Sequence, residues 1–469
     1  MTDKYDVLVI GGGPAGMTAA MALGAAGRRV LVVEQGPGLG GADLFEGCVR
    51  SEILHKSAQR LRAVRHAAEF GLRLPAGETH IDWPAIRARK DELLRRRTRG
   101  LLEQARKIPA LEVRFGRASL LHPRRALIMP AAGDPAEIAF ASAIIATGSR
   151  SRPAAFSGSG LHRMINSSQL FDLERPPHSL VVIGATPAGM ELAQAFATFG
   201  TKVTVLEAGL RILDPVDEEI ATMLERRLPQ QGISLALDAC VTRVCHSGGG
   251  AFVQYRNQAG EARQVYGEYV MDVAGREACV EGLGLERTAV RFDHSGIRVN
   301  HFLESDEPGL YATGDVIGRP MSTHWAQARS LALAHHLLGQ TVRFPQPEAD
   351  SAVILSIPEI GLAGMTEGDA LRAGHDFGVA RHDFGVDAHT PPSGHADGLL
   401  KLIYDRGTRR LLGVHALGEG VAAITGAAAL AIGGGLTIET LASSVPPHPT
   451  PIEAITLAAQ GVPPAVLPS

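Results

Sequence analysis

Tyr5-Asp-Val-Leu-Val-Ile10 runs into Gly11-Gly-Gly-Pro-Ala-Gly16, then a helical stretch to Gly27, then Val30-Leu-Val-Val33 ending at Glu34. The order is strand, glycine turn, helix, strand, acid, the pattern of a dinucleotide-binding βαβ unit. Gly11 permits the tight turn, Gly13 leaves bare backbone beside a pyrophosphate, and Gly16 lets helix and strand touch. Pro14-Ala15-Gly16 open the helix whose N-terminus receives the phosphates. Glu34, 18 residues beyond Gly16, stands where a carboxylate accepts hydrogen bonds from ribose hydroxyls. A glycine-rich turn without a ligand would share the glycines but has no need of the acid at that spacing.

The pattern recurs at an offset of 173 residues: Leu180-Val-Val-Ile183, Gly184, Pro187-Ala-Gly189-Met190, Gly200, Val203-Thr-Val-Leu206 and Glu207. Two such units predict two dinucleotides. The second copy carries Thr186 in place of the middle glycine, a β-branched residue where backbone should approach phosphate, so its site is expected to be weakened, shifted or vestigial. If it binds, Glu207 repels a 2′-phosphate and selects NAD over NADP. Ala143-Ile-Ile-Ala-Thr-Gly148 and Gly309-Leu-Tyr-Ala-Thr-Gly-Asp315 read as further strands ending in tight turns, the second in a carboxylate able to bind a polyol or simply to serve its turn.

The 469 residues carry 46 Lys plus Arg against 49 Asp plus Glu, a net charge of −3, so no nucleic-acid or anionic-membrane partner is expected. At roughly 100–200 residues per domain the length predicts three or four domains, and 45% hydrophobic residues can fill their cores. Gly (54) and Pro (28) are in excess without a repeat period, which places them in turns and ligand loops. The four cysteines, at 48, 240, 245 and 279, are too few for a disulfide scaffold, and no signal peptide precedes the first strand, so a soluble protein of the cytoplasm is expected. The apolar stretch from Gly420 to Leu436 is short and interrupted, as in a packed helix. The Arg-rich run Arg87 to Arg99 reads as a solvated helix face and receives no function. No metal site is expected.

Gly11 to Gly16, Gly41 to Cys48, Ala146-Thr147-Gly148, Gly184 to Glu191, Gly275-Arg276, Thr313-Gly314-Asp315 and His448-Pro-Thr-Pro-Ile-Glu453 together resemble the pyridine nucleotide-disulfide oxidoreductases, in particular the dihydrolipoamide dehydrogenases. The resemblance runs over essentially the whole chain. It implies an α/β fold of two Rossmann-like domains plus an α+β dimerisation domain: FAD over 1–152 and 277–345, NAD(P) over 153–276, and the interface over 346–469. It further implies FAD along Gly11 to Gly16 and Glu34, with Gly41, Gly47, Thr147, Gly148 and Gly314 around it. Asp315 would hold the ribityl chain, and Met321 to Ala326 would cap the flavin. NAD would lie along Gly184, Gly189, Glu191, Glu207 and Gly275. A homodimer follows, in which His448 of one chain faces the flavin of the other.

The departures bear on the chemistry. Gly40-Gly41-Ala-Asp43-Leu-Phe-Glu-Gly47-Cys48 has Asp43 where the family carries the first of two redox cysteines, and an aspartate cannot form an S–S bond. Glu52 replaces a lysine that the resemblance pairs with Glu191, so two carboxylates are expected to share a proton or move apart. Cys240 and Cys245 share the redox spacing, but on a strand an odd offset places them on opposite faces. They read as structural, as does Cys279. Cys48 is expected at the start of a helix from Ser51 to His66, where a thiolate is favoured, or as a leftover buried thiol. His448, constrained by prolines and oriented by Glu453, suits proton transfer; Thr450-Pro-Ile-Glu453 also reads as a capping box, in which Glu453 merely caps. Asp43 and His448 of opposite chains would form an acid–base pair.

Three functions follow. The first is a dimeric FAD oxidoreductase passing electrons from NADH to a small acceptor such as a quinone, or through Cys48 alone, without a redox disulfide. The second is a nicotinamide-independent flavin dehydrogenase using Asp43 and His448 as acid and base. The third is a non-catalytic flavin-bearing paralogue that docks a thiol- or lipoyl-carrying partner.

Overall fold

The computed structural model describes residues 3–73, 80–152, 156–346, 350–386 and 398–464, without the side chains of Asp3, Cys48 and Val386. Three sheets organise the chain, and each grows from a different hydrophobic pattern. In the first, β1 (Asp3–Ile10), β2 (Val30–Glu34), the start of β3 (Leu111–His122), β5 (Ala136–Ile145) and β18 (Leu310–Ala312) run parallel in the order β3-β2-β1-β5-β18. All five residues of β2 are buried, as a parallel strand covered on both faces requires. The end of β3 turns back through β4 (Arg125–Pro130) to meet the start of β5 as an antiparallel meander. Helix α1 (Pro14–Ala25) makes the crossover from β1 to β2 and packs against α8 (Thr323–Leu337).

A short helix, α2 (Gly41–Phe45), and two long ones, α3 (Cys48–Arg65) and α4 (Trp83–Arg106), leave this fold after β2. The expected solvated face of α4 is present, but the helix also buries Lys90, whose Nζ lies 2.6 Å from Asp172 just past α5 (Ser167–Phe171). The second fold repeats the first: β7 (Met164–Ile165), β8 (Ser179–Ile183), β9 (Lys202–Leu206), β10 (Ile233–Ala236) and β14 (Tyr269–Asp272) form a parallel sheet ordered β10-β9-β8-β14-β7, with α6 (Pro187–Thr198) as crossover and α7 (Glu218–Glu225) beyond β9. The two passages between the folds pair as an antiparallel ribbon, β6 (Ser149–Ser151) with β15 (Arg276–Ala278), and β16 (Phe292–Asp293) with β17 (Gly296–Ile297) forms another.

Strands β11 (Cys240–Ser247), β12 (Gly250–Arg256) and β13 (Ala262–Gly267) make a small antiparallel sheet. Here the expectation for Cys240 and Cys245 fails on one point. A bulge between Val241 and Arg243 resets the alternation, so both valines, 241 and 244, meet the core while both cysteines face away from it. They still cannot bond: five residues of extended strand separate them by roughly 16 Å, far beyond disulfide reach.

The third sheet is antiparallel, β19 (Ser351–Ile354), β20 (Ile360–Gly364), β23 (Leu411–Leu417), β22 (Leu399–Asp405) and β21 (Phe377–Asp383) in that order. It is accompanied by α9 (Glu367–Arg372), α10 (Val421–Gly433), α11 (Ile438–Ala442) and α12 (Glu453–Gln460). The apolar stretch at 420–436 is α10, packed on this sheet. A buried ion cluster joins the sheet to the second fold: Lys401 Nζ sits 2.8 Å from Asp217 Oδ1, 3.1 Å from Glu219 and beside Glu367, with Lys401 and Asp217 each 3% exposed. Among the described residues no helix is long and apolar enough to cross a membrane.

Candidate functional site

The first glycine turn is built by close approach of backbone to backbone. A Cβ at Gly11, whose φ is +109°, would lie 2.3 Å from the Ala146 carbonyl oxygen, and one at Gly16 would lie 2.0 Å from that of Gly11. Gly13, by contrast, has an extended backbone and would accept a Cβ 3.7 Å from Gly41 Cα. Its lack of a side chain therefore answers to nothing inside the protein, which is what a ligand lying over the turn requires. Gly13 is also the N-cap of α1 and supplies no side-chain cap, leaving the first-turn amides to an anion. Gly41 is needed for its own reason: at φ +56° a Cβ there would stand 2.8 Å from Gly13 Cα. Glu34, nearly buried, accepts the Gly12 amide at 2.6 Å and the Gly36 amide with its other oxygen. Each carboxylate oxygen keeps a further lone pair for a ribose hydroxyl. These residues fit a bound dinucleotide.

The second turn copies this arrangement. A Cβ at Gly189 would lie 2.2 Å from the Gly184 carbonyl oxygen. Glu207 accepts the Ala185 amide at 2.6 Å and the Gly209 amide at 2.7 Å. Thr186 does not block the turn; it turns inward as N-cap of α6, accepting from the Gly189 amide at 3.2 Å while its hydroxyl donates to Val273 O at 3.2 Å. The cost is one helix N-terminal donor withdrawn from any phosphate. Gly275 lies against the Arg152 guanidinium, 3.0 Å from where its Cβ would be.

Glu191, on α6, accepts the Leu355 amide at 2.9 Å and a hydrogen bond from Ser51; burial pushes its carboxyl above the ordinary range, and nearby His55 opposes the shift. Of the two outcomes expected for Glu52 and Glu191, the structure takes separation. Helix α3 buries Leu54, Ala58 and Leu61 in one cluster with Met190, Ala193 and Phe196 of α6. Helical spacing places residue 51 on that face and turns 52 to solvent, where Glu52 is exposed.

Helix α3 starts at Cys48, three residues earlier than expected, with Gly47 as an N-cap that offers no side chain. A Cβ at Gly47 would stand 3.2 Å from Ala42 O, so the turn between α2 and α3 is tight. The Cys48 thiol itself lies outside the described residues. Asp43, on α2, accepts a hydrogen bond from Thr323 Oγ1 at 2.9 Å, which ties α2 to the start of α8. Burial pushes its carboxyl above the ordinary range, while the Thr323 bond and Arg97 pull it down and Glu52 and Asp315 push it up. Met321 lies two residues before α8, whose N-cap is Ser322, and Ala326, inside the helix, packs with Ala15 around Gly314, where a Cβ would be 2.9 Å from Ala15 Cβ. Thr147 Oγ1 donates to Cys279 O at 2.7 Å, Gly148 turns the chain at φ +72°, and Asp315 accepts from Ser149 Oγ at 2.6 Å.

At the C-terminal motif the expected capping box is only half formed: α12 begins at Glu453 without a side-chain cap, and the Thr450 hydroxyl donates to Pro447 O instead. Glu453 Oε2 lies 3.0 Å from His448 Nδ1, while Oε1 accepts the Thr450 amide at 2.9 Å. Glu453 is 10% exposed and His448 61%, so one chain presents the imidazole outward on a buried carboxylate. Ser149 went unread in the sequence, and Thr323, Arg97 and Ser51 were read only as members of the 321–326, 87–99 and 51–66 segments; each reaches its partner only through the tertiary fold. Three cysteines, 240, 245 and 279, are free, and burial pushes the Cys279 thiol up.

Two dinucleotide turns, an acid closing or following each second strand and a carboxylate three residues past β18 define a two-nucleotide oxidoreductase. The family described as Pyridine nucleotide-disulphide oxidoreductase matches residues 5–330, and its dimerisation domain matches 351–459. The chain belongs to this family, as a dihydrolipoyl dehydrogenase-like enzyme of the FAD-dependent, NAD-linked kind. It is 32% identical over 467 residues to Dihydrolipoyl dehydrogenase 3 of Pseudomonas aeruginosa, covering 98% of each chain. It is 30% identical over 443 residues to a dihydrolipoyl dehydrogenase of Bacillus subtilis, covering 94% of this chain and 95% of that one. In fold it is similar to LpdA of Mycobacterium tuberculosis (TM-score 0.88, 24% identity, 97% and 99% covered). The HOCl-induced flavoprotein disulfide reductase RclA of Escherichia coli shares the fold as well (TM-score 0.87, 24% identity, 98% and 100% covered, as its Cu(II) complex).

Proposed function

We propose that the protein is a homodimeric FAD enzyme that oxidises NADH and reduces a small acceptor, a quinone or a thiol taken through Cys48 alone, without an internal redox disulfide. The observation that carries this reading is Asp43, a carboxylate held by Thr323 five residues before Cys48. FAD is assigned to 1–152 with 277–345, NAD to 153–276, and the subunit interface to 346–469. The first turn, Glu34 and Asp315 bind the flavin dinucleotide; the second turn and Glu207 bind the nicotinamide dinucleotide. Bound FAD would supply the two-electron chemistry, taking hydride from NADH and releasing electrons to the acceptor.

The protein's own groups handle the protons. Glu453 on Nδ1 orients the His448 imidazole for proton exchange with the acceptor, and the partner's Asp43 is the expected second member. A raised carboxyl at 43 is suited to hold a proton that an ordinary aspartate would have lost. The even charge balance suits a small acceptor in the cytoplasm rather than a nucleic acid or a membrane.

Thr186 favours a second reading, in which nicotinamide is not the reductant and the substrate binds directly beside Asp43 and His448. Anaerobic titration of the purified protein with NADH, NADPH and dihydrolipoamide, followed by flavin absorbance, tests both. Bleaching by NADH supports the first; bleaching only by another reductant supports the second. Inertness to all refutes both and leaves a non-catalytic paralogue that docks a thiol or lipoyl carrier.

A further inference from the structure

The ribbon between the two dinucleotide folds carries a directed hydrogen-bond relay. Residue 276 of β15 stands opposite Ser151 of β6, and Ala278 opposite Ser149. From there the Arg276 side chain closes on Ser149: Nε donates to Oγ at 2.8 Å and Nη2 to the Ser149 carbonyl at 2.8 Å. A guanidinium has donors only, so Ser149 Oγ accepts from Arg276 and its single proton must point elsewhere. It points to Asp315 Oδ2, 2.6 Å away. Ser149 is 5% exposed, so water does not compete for either bond. The same guanidinium lies 3.6 Å from Glu46 Oε2, in the turn between α2 and α3. One arginine on the returning passage therefore touches the outgoing passage, the acid after β18 through one hydroxyl, and the turn between Asp43 and Cys48.

We propose that Arg276 and Ser149 are positioning residues for Asp315: they lock Oδ2 so that Oδ1 is presented to the polyol chain of the dinucleotide bound in the first fold. The inference rests on the reading of that fold as the FAD site. It adds that the orientation of the ribityl-binding acid is set by the ribbon leading to the second fold, so that the chain connecting the two nucleotides also fixes a group that binds one of them.

The test uses Ser149→Ala, Arg276→Met, Arg276→Lys, Asp315→Ala and the double variant Ser149→Ala/Asp315→Ala. FAD is titrated into each apoprotein, and the urea midpoint of each apoprotein is recorded beside it. Ser149→Ala is expected to raise the FAD Kd about tenfold, the loss of one hydrogen bond to a charged group. Arg276→Met should do the same, and Arg276→Lys, which keeps one donor, should recover part of the loss. In the Asp315→Ala background, Ser149→Ala should add less than about twofold, because a relay has no effect once its end is gone. A Ser149→Ala effect that persists undiminished in that background, or that appears equally in the apoprotein midpoint, overturns the relay in favour of a plain structural bond. A weakened Asp315→Ala beside a wild-type Ser149→Ala overturns the relay alone. An unchanged FAD Kd in Asp315→Ala overturns the placement of the polyol at Asp315, and the relay with it.

Discussion

Replacing Gly13 with alanine separates the fold of the first turn from its ligand. The Gly13 backbone, φ −74° and ψ −177°, is one that any residue adopts, and the new methyl would meet nothing nearer than Gly41 Cα at 3.7 Å. The apoprotein should therefore be as stable as wild type, or more stable by about 0.4–1 kcal/mol through the stiffer unfolded chain. Gly16→Ala is the contrasting case. Its Cβ would sit 2.0 Å from Gly11 O, so α1 must move away from β1 by more than about 1 Å, at a cost of roughly 1–3 kcal/mol of overpacking. In Gly13→Ala the methyl lies over the uncapped first turn of α1, where phosphate oxygens must approach the amides. Losing or lengthening one charge-assisted bond there costs about 1.5–3 kcal/mol, so the FAD Kd should rise about 10- to 100-fold. By linkage, a 100-fold weaker Kd removes about 2.7 kcal/mol of the stabilisation that FAD gives. Fluorescence titration of the apoprotein with FAD, together with urea melts of apo and holo forms, measures all three quantities. A wild-type Kd in Gly13→Ala, or an apoprotein as destabilised as Gly16→Ala, would refute the argument.

Thr186→Gly should cost only a few tenths of a kcal/mol as a lost cap and return the Gly189 amide to the phosphate site; calorimetry should show NADH binding several-fold tighter, and unchanged or weaker binding contradicts the account. Lys401→Met strands Asp217 among Glu219 and Glu367, and should lower the denaturation free energy of the holoprotein by about 3–5 kcal/mol, with Lys401→Met/Asp217→Asn recovering a large part. A loss below about 1 kcal/mol would mean that Arg381, paired with Glu219 at 2.9 Å, already neutralises the cluster. Because burial holds the folded Asp43 carboxyl above its unfolded value, its charge costs nothing below about pH 4, and the cost grows as pH rises through the folded pKa. Asp43→Asn should match wild-type stability near pH 4 and exceed it at pH 7, and a difference that stays flat across that interval rules out burial as the cause.

The periodic parts of this structure were legible because their causes are local. A βαβ turn needs its glycines at fixed offsets, so the repeat at 173 residues located both folds and their acids. The same logic misread β11, where a bulge reset the strand alternation, and it could not say how Thr186 bears on its site, because a residue type does not say which way its side chain turns. It left open whether Glu52 and Glu191 share a proton or move apart, and only the packing of Leu54, Ala58 and Leu61 against α6 decided for separation, with Ser51 on the facing side.

The amino-acid order alone thus determined the strands that flank each glycine turn, the glycines and acids of those turns, and that an aspartate stands five residues before Cys48, since each depends on neighbours within a few residues. The partners of that aspartate and of Asp315 were decided by the tertiary structure. Thr323 reaches Asp43 across 280 residues, and Ser149 reaches Asp315 across 166. Such a bond forms only when segments far apart in the chain are packed at one distance and angle, a condition that no spacing along the chain records.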